Sequence, residues 1–446
     1  MEKDRDTLVL YTTAICNLNC KYCYIDKNKA LIHIDEILDE SFKGDYYFNF
    51  TKEMFPKIGQ LRTIETWGGE PFLRMDRVYE TLHKIINYYP FFDTMFSSTN
   101  FSFPEWTDQF FGLMSQFGQY PERDFNYSLQ LSLDGPEYIT DYGRGKGTTK
   151  KCLENFNKMI DIVGTHLPSN VNLSMHFKPT LDINSVKMLD SKEKIIEYYQ
   201  FFESLVEKVW DLNYSNVTIT LPIPNTACPS PTTKEDGIIF ANLCRMCCEI
   251  EQEKDKYFKY YDNITPFRTY NTNKELKYEY PYHTCGSGIN VVGLLPYHLI
   301  STCHNGFVDL ISDYKKMVTA NDSQSTLDFR TFLNDHPTRL TLNNEKYALF
   351  EKQMSYYANF NTTARLANIV SLINVLALSG QIDEKYKNTQ EALKAGIFIQ
   401  SHTAYCLRDN YNTTGSCTLV PVGLLKLLLN GAKEYIEIGE DIIENI

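Results

Sequence analysis

Three closely spaced cysteines near the amino terminus constrain this chain more than any other feature. Cys16, Cys20 and Cys23 follow one another in a C-x3-C-x2-C pattern. Residues 7–13, just before them, are mostly aliphatic, β-branched or aromatic and predict a buried strand. We therefore expect the three thiols on the loop that leaves the carboxyl end of the first strand.

The ligand chemistry of this loop points to a metal centre with an open position. Thiolates are soft ligands that select zinc, copper(I) or iron–sulfur clusters. A zinc site or a [4Fe–4S] cluster takes four ligands, and this loop offers three. His33, the nearest histidine, lies ten residues after Cys23 and fits a compact zinc site poorly. An open coordination position is where a metal centre performs chemistry.

Length and charge limit the classes of function. A chain of 446 residues is long enough for two or three domains, or for one large barrel with an appended domain. Its formal net charge of −12 argues against RNA or DNA as a partner, because phosphate binding needs a basic surface. Twelve cysteines without an export signal favour metal binding or reduced thiols over disulfides.

The sequence predicts a cytoplasmic protein with no membrane segment. The charged start, residues 1–6, leads directly into the first predicted strand, so it predicts no signal peptide and leaves no room for a preceding peptide-recognition domain. The longest apolar helical stretch, residues 366–378, is interrupted by Asn368, Ser371 and Asn374 and is too short to span a bilayer.

Strand-like and helix-like segments alternate in the first half of the chain, which predicts an α/β fold with parallel strands joined by right-handed crossovers. Either a doubly wound sheet or a barrel satisfies this pattern. In a barrel the chemistry lies at the carboxyl ends of the strands. The predicted strands are 7–13, 61–67, 92–99, 127–134, 170–177 and 217–223, and the predicted helices between them include 75–89, 149–163 and 193–212.

The second half of the chain is predicted to be less regular. A helix is expected over 234–261, a hairpin over 281–310, and mostly helical structure from 311 onwards. We expect a first domain at 1–230, a helical connector at 231–280 and a further domain at 281–446.

The cysteine loop, with aromatic Tyr22 before its last cysteine, resembles the signature of the radical S-adenosylmethionine (radical SAM) enzymes. In that family three thiolates hold a [4Fe–4S] cluster, and SAM binds the open iron through its amino and carboxylate groups. One electron then cleaves SAM to methionine and a 5′-deoxyadenosyl radical, which abstracts hydrogen from the substrate. The resemblance implies a partial (β/α)6 TIM-like barrel. The alternative is a set of buried or zinc-binding cysteines.

A second motif follows the second predicted strand. Gly68 and Gly69 allow the backbone to approach a ligand closely, and the carboxylate of Glu70 can accept a hydrogen bond from an ammonium group. With Pro71 they resemble the GGEP-type motif that holds the SAM amino group in the family. The alternative is a simple Gly-Gly turn.

Further candidate SAM-binding residues follow the third and fourth predicted strands. Asn100 stands where relatives often carry Thr-Asn-Gly, but Phe101 replaces the glycine. Ser132 and Arg144 resemble a Ser-Leu-Asp-Gly-Pro…Asp-x-x-Arg stretch of radical SAM enzymes that modify peptides, where a guanidinium can bind the SAM carboxylate at two points. Turn and surface roles are the alternatives for these residues. His176 and Lys178 either line the cofactor site or belong to the core.

A second iron–sulfur cluster is expected in the carboxyl-terminal part. Cys285 and Cys303 resemble the opening of SPASM or twitch extensions, although His298 replaces the usual glycine. Cys406 and Cys417 are the late pair available to complete this auxiliary cluster. The alternative is four unligated thiols. For the remaining cysteines we expect a core role at Cys244, Cys247 and Cys248, and no spacing partner at Cys152 and Cys228.

The resemblance implies a radical SAM enzyme that modifies a peptide or protein side chain by crosslinking, epimerisation or oxidation. A mostly helical carboxyl-terminal domain would carry the auxiliary [4Fe–4S] cluster. The expected partners are the peptide, a reductant such as flavodoxin or ferredoxin, and a separate peptide-recognition protein. Radical chemistry on a small metabolite, and a non-catalytic iron–sulfur scaffold or electron carrier, are the alternatives. The sequence indicates no catalytic acid or base.

Overall fold

A mostly parallel sheet forms the frame of the protein. The structure, a computed structural model, describes residues 5–23, 25, 30–222, 225–226, 239, 242–243, 246–247, 249–261, 264, 291–295 and 299–301. The strands are β1 (Arg5–Thr13), β2 (Gly59–Gly68), β3 (Thr94–Thr99), β4 (Phe125–Leu131), β5 (Val171–Phe177), β6 (Thr180–Leu181), β7 (Val217–Thr220), β8 (Asn225–Thr226), β9 (Val291–Leu295) and β10 (Leu299–Ser301).

Helices connect these strands. They are α1 (Ala30–Lys43), α2 (Tyr46–Ile58), α3 (Asp76–Tyr88), α4 (Trp106–Gly118), α5 (Glu137–Arg144), α6 (Thr148–His166), α7 (Ile183–Met188) and α8 (Lys192–Trp210), with short 3-10 helices at Pro71–Arg74 and Lys254–Lys256.

The order of the strands in the main sheet is β10-β9-β1-β2-β3-β4-β5-β7, and all neighbours are parallel except β9 and β10. From β1 to β7 the order follows the chain without reversal, as in a (β/α) barrel, whereas a doubly wound sheet reverses at a switch point. The sheet is open among the described strands. Because every strand of this sheet except β10 runs in the same direction, the carboxyl ends of these parallel strands lie at one edge.

The two faces of the sheet differ in burial. Ser97, Leu129, Met175 and Ile219 lie in register on neighbouring strands, and all are buried. Within each of these strands, the residues that alternate with the buried ones, such as Phe96 in β3, are partly or fully exposed. This alternation is the pattern of a sheet with one packed face.

The observed elements confirm the predicted parallel α/β pattern, with all six early strands present. The hairpin expected over 281–310 is represented by β9 and β10, whose antiparallel register pairs Leu294 with Ile300. The sequence did not predict that β9 pairs in parallel with β1, which brings this late segment beside the first strand. Within the described part of the chain, no helix combines the length and apolar character that a bilayer span requires.

Candidate functional site

The loop of residues 16–23, which carries the three cysteines and is called the thiol loop below, lies at the carboxyl edge of the sheet. Cys16, Cys20 and Cys23 are half-buried and not in disulfides, and they follow β1 directly. The Gly-Gly-Glu stretch follows β2, Asn100 follows β3 and Ser132 follows β4. The loops after the first four parallel strands, which carry these predicted site residues, therefore lie at one edge of the sheet.

The two glycines serve the backbone of the cysteine loop. The N–H of Gly69 donates to the carbonyl of Thr13 at 2.9 Å, and the N–H of Glu70 donates to the carbonyl of Ile15 at 2.8 Å. A Cβ on Gly69 would lie under 3.0 Å from the Ile15 oxygen, and Gly68 is equally tight against Thr13. The close approach that these glycines allow is thus to the segment entering the thiol loop.

The carboxylate of Glu70 is buried and ties β2 to β3. Its Oε1 accepts hydrogen bonds from Thr99 Oγ1 at 2.6 Å and from the N–H of Phe72 at 3.1 Å. Its Oε2 accepts the N–H of Asn100 at 2.6 Å. Burial raises the pKa of Glu70 to about 7, and the three donors partly oppose that shift.

Asn100 contacts the first cysteine. Its Nδ2 donates to Cys16 Sγ at 3.6 Å and to Asn17 Oδ1 at 2.9 Å. The next residue, Phe101, stands at the glycine position of the Thr-Asn-Gly pattern and has a φ of 38°. The left-handed conformation that glycine favours is therefore kept, and the buried ring of Phe101 packs edge-on against Trp106, 5.9 Å away between centroids.

The last part of the thiol loop is anchored to the end of β4 and to α5. The hydroxyl of Tyr22 donates to Asp134 Oδ2, and Arg144 donates to the same carboxylate from Nε at 2.9 Å and from Nη2 at 2.7 Å. The guanidinium also lies 5.5 Å from the centre of the Tyr22 ring. In this structure the guanidinium fork that the resemblance assigned to a SAM carboxylate is directed at Asp134.

Burial raises the pKa of the Tyr22 hydroxyl well above its usual value, so the phenol stays protonated and acts as a donor. Gly143 makes room for it, since a Cβ there would lie 2.8 Å from the Tyr22 ring. The N–H of Lys21 donates to the Gly143 carbonyl at 2.8 Å, and Lys21 Nζ lies 3.2 Å from the centre of the Tyr142 ring. Side chains and backbone together fix this half of the loop.

A buried ion pair that the sequence did not reveal holds the start of the same loop. Asp35 accepts from Arg77 Nη1 at 3.0 Å and Nη2 at 2.9 Å. The same carboxylate receives the hydroxyl of Thr13 and the N–H of Ala14, the latter at 3.1 Å. Arg77 Nη1 also donates to the carbonyl of Thr12 at 3.1 Å. No linear motif marks this pair, because its members lie on α1 and α3.

The less covered face of the sheet carries a connected group of polar and aromatic side chains. Trp67 Nε1 donates to Glu65 at 2.9 Å, and the Trp67 and Phe96 rings lie 5.7 Å apart. Phe96 stacks with His176 at 6.2 Å, and His176 Nε2 lies 3.3 Å from Gln130 Oε1. Burial raises the pKa of Glu65.

The remaining predicted site residues and cysteines differ in burial and contacts, and some lie outside the described residues. Ser132 is half-buried, and its N–H continues the sheet by donating to the Thr99 carbonyl at 2.8 Å. Lys178 is half-buried beside the same edge. Cys247 is buried, as a core role requires, and Cys152 donates from Sγ to the Asn100 carbonyl at 3.3 Å. Several predicted cysteines lie outside the described residues: Cys228, Cys244, Cys248, Cys285, Cys303, Cys406 and Cys417.

The described residues thus define an α/β protein with a thiol loop anchored on four sides at the carboxyl edge of a parallel sheet.

No protein-family model matches the sequence, and no curated protein matches it. Among solved structures, the chain is similar to a histidine-tagged anSMEcpe with bound AdoMet, at 15% identity and a TM-score of 0.46, covering 99% of this chain and 98% of that chain. The native anSMEcpe with bound AdoMet gives 15% identity and a TM-score of 0.44 over the same shares.

Proposed function

We propose that this chain is a radical SAM enzyme built on a partial (β/α)6 barrel. The observation that carries the proposal is the convergence of the C-x3-C-x2-C loop with the Gly-Gly-Glu stretch and the end of β4 at one sheet edge. The alternative, an electron carrier, needs the same thiols but cleaves no SAM.

The donor set fits a [4Fe–4S] cluster. Cys16, Cys20 and Cys23 supply three soft ligands on one short loop. Cys16 Sγ accepts hydrogen bonds from two N–H groups, which is the environment that a ligating thiolate needs. Among the described residues, no group of three His, Cys, Asp or Glu side chains lies close enough together to hold a single metal ion. In a cluster each thiolate binds a different iron, so these sulfurs need not converge on one point.

The chain's own residues have positioning roles in this proposal. When bound, the cluster and SAM supply a 5′-deoxyadenosyl radical. The hydrogen bonds from Gly69 and Glu70 set the spacing between the loop and β2, where the SAM amino group is expected. Arg144 and Asp134 hold Tyr22 and so fix the loop between Cys20 and Cys23. Ser132 stands at the same edge and is proposed to contact SAM.

The proposed substrate is a peptide or protein side chain. The less covered sheet face offers Trp67, Phe96 and His176 as stacking surfaces, with Glu65 and Gln130 as polar partners. Such a mixed surface suits a side chain carried on a peptide. The auxiliary cluster on Cys285, Cys303, Cys406 and Cys417, a flavodoxin- or ferredoxin-type reductant and a separate peptide-recognition protein belong to the same proposal.

Anaerobic reconstitution tests the proposal. With iron and sulfide the protein is expected to bind about four irons per cluster, and SAM is expected to change the electron paramagnetic resonance (EPR) spectrum of the reduced protein. Replacing Cys16, Cys20 and Cys23 with alanine should abolish the SAM-sensitive signal. Zinc bound by these three cysteines, or a spectrum that SAM leaves unchanged, would contradict the proposal. Synthetic peptides then test the substrate class, because a bound substrate should raise the yield of 5′-deoxyadenosine.

A further inference from the structure

Asn100 is held through all of its polar groups. Its N–H donates to Glu70 Oε2 at 2.6 Å, and its carbonyl accepts from Cys152 Sγ at 3.3 Å. Its side-chain Oδ1 accepts from the N–H and the hydroxyl of Ser102 at 3.1 and 2.7 Å. The left-handed backbone of the following residue, with φ at 38°, turns the chain so that these contacts form together. The side chain is therefore fixed before any ligand binds.

These contacts also determine which end of the amide faces the thiol loop. A backbone N–H can only donate, so the atom facing the N–H of Ser102 must be the oxygen. The amide nitrogen is then the atom 3.6 Å from Cys16 Sγ and 2.9 Å from Asn17 Oδ1. Asn100 is thus a donor to sulfur and not an acceptor.

Cys16 receives a second N–H from its own loop. The backbone N–H of Leu18 donates to Cys16 Sγ at 3.4 Å. The two donors come from different parts of the fold, one from the loop itself and one from the residue after β3. The Leu18 contact is local to the loop, whereas the Asn100 contact depends on a side chain that mutation can remove.

We propose that Asn100 is a positioning residue that raises the reduction potential of the cluster bound by the loop, by donating a hydrogen bond to Cys16 Sγ. This inference rests on the proposed function, because it needs the cluster. An electron added to the cluster increases the negative charge on the ligating sulfurs. A donor to sulfur therefore stabilises the reduced form more than the oxidised form.

Three variants separate this role from a purely structural one. Asn100→Leu removes the donor at nearly constant volume. Asn100→Asp keeps the acceptor for Ser102 but replaces the donor with an acceptor or a negative charge. Asn17→Ala removes the second acceptor of the Asn100 amide and the Asn17 Nδ2 donor to Ser102 Oγ, but it leaves the N–H that faces Cys16 in place. Ser102→Ala is the matched control, because it removes a hydroxyl from the same network and leaves the donor to Cys16 in place.

The measurement is a potentiometric titration of the reconstituted protein followed by EPR, with iron quantified for every variant. For Asn100→Leu, the ratio of reduced to oxidised cluster at the wild-type midpoint should fall about threefold to tenfold, and tenfold corresponds to about 59 mV for one electron. The decrease should be larger for Asn100→Asp, and Asn17→Ala, which keeps the donor to sulfur, should leave the ratio near that of the wild type. Ser102→Ala should titrate near the wild type.

The outcomes distinguish the inference from the proposed function. If the variants bind iron as the wild type does and share its midpoint, the tuning role is wrong while the cluster assignment stands. If both Asn100 variants fail to bind iron while Ser102→Ala binds it, Asn100 is needed to hold the loop and the tuning role is again overturned. A wild-type protein that takes up no cluster overturns the proposed function itself.

Discussion

Arg144 and Asp134 form a buried ion pair at two points, with Nε to Oδ2 at 2.9 Å and Nη2 to Oδ1 at 2.7 Å. The same carboxylate receives the Tyr22 hydroxyl and, at 3.0 Å, the N–H of Thr180. One acidic side chain at the end of β4 therefore joins the thiol loop to α5 and β6. These four hydrogen bonds to the Asp134 carboxylate hold the thiol loop against the end of β4.

The first prediction concerns this pair. Removing one partner of a buried ion pair leaves an uncompensated charge, which typically lowers the free energy of unfolding by about 3–5 kcal/mol. We expect a decrease of that size for Arg144→Ala in denaturant unfolding. The control is Arg62→Ala, whose ion pair with Asp93 is solvent-exposed and should contribute less than about 1 kcal/mol. Equal stabilities for the two variants would contradict the role of Arg144 as an anchor.

The second prediction concerns Gly69. An alanine Cβ there would lie under 3.0 Å from the Ile15 oxygen, so the variant must push the thiol loop away from β2. Gly69→Ala should unfold more easily by about 1–3 kcal/mol and lose iron binding after reconstitution.

The matched control for Gly69→Ala is Gly164→Ala in α6. Its Cβ would meet only ordinary contacts at 3.8 Å and beyond. Alanine is favoured over glycine inside a helix by about 0.5–1 kcal/mol, so this variant should be as stable as the wild type or more stable. Normal iron binding by Gly69→Ala would show that the loop does not depend on the close approach.

The third prediction uses the positive φ of Phe101. Phe101→Ala and Phe101→Gly both remove the buried ring, so the difference in stability between them measures the effect of the backbone conformation. At a φ of 38° glycine should be more stable than alanine by about 1 kcal/mol, the reverse of the usual order. At Phe103, which is also buried but has no positive φ, alanine should be the more stable of the two. Denaturant unfolding of the four variants measures both differences.

The fourth prediction follows from the pKa of Glu70, which burial raises from 4.5 to about 7. An acid whose pKa is higher in the folded chain binds its proton more tightly when folded. Its contribution to stability is therefore complete below about pH 4.5 and is lost as the pH rises through about 7. Over that window the free energy of unfolding should fall by about 3 kcal/mol from this group.

Glu70→Gln tests the fourth prediction, because glutamine does not titrate. Contributions from other groups cancel when the pH profile of the variant is subtracted from that of the wild type. The difference should change between pH 4.5 and 7 and level off on either side. A difference that stays constant with pH would mean that Glu70 has an ordinary pKa in the folded protein.

Much of the fold could be predicted because its signals are local. Short aliphatic, β-branched and aromatic runs between helix-like segments identified all six early strands, and parallel pairing then predicted that the loops after β1, β2, β3 and β4 lie at one edge. The choice between a barrel-like and a doubly wound order could not be made from the sequence. That choice depends on which strands become neighbours, and only the structure gives the sequential order.

The contacts that hold the site could not be predicted because they join distant segments. Local sequence suggested that Gly69 approaches a ligand, whereas its nearest neighbour is the Ile15 carbonyl. The Asp35–Arg77 pair lies on two helices with no motif at either position. Phe101 looked like a departure from the Thr-Asn-Gly pattern, yet its φ of 38° keeps the backbone that glycine would adopt.

The proposed function requires that Cys16, Cys20 and Cys23 hold a cluster with one iron open to SAM. The most direct test is the formation of 5′-deoxyadenosine from SAM by the reduced, reconstituted protein, compared with the variant in which all three cysteines are replaced by alanine. We expect product from the wild type and none above background from the variant. Equal product from both, or none from a wild type that has bound iron, would contradict the proposed function.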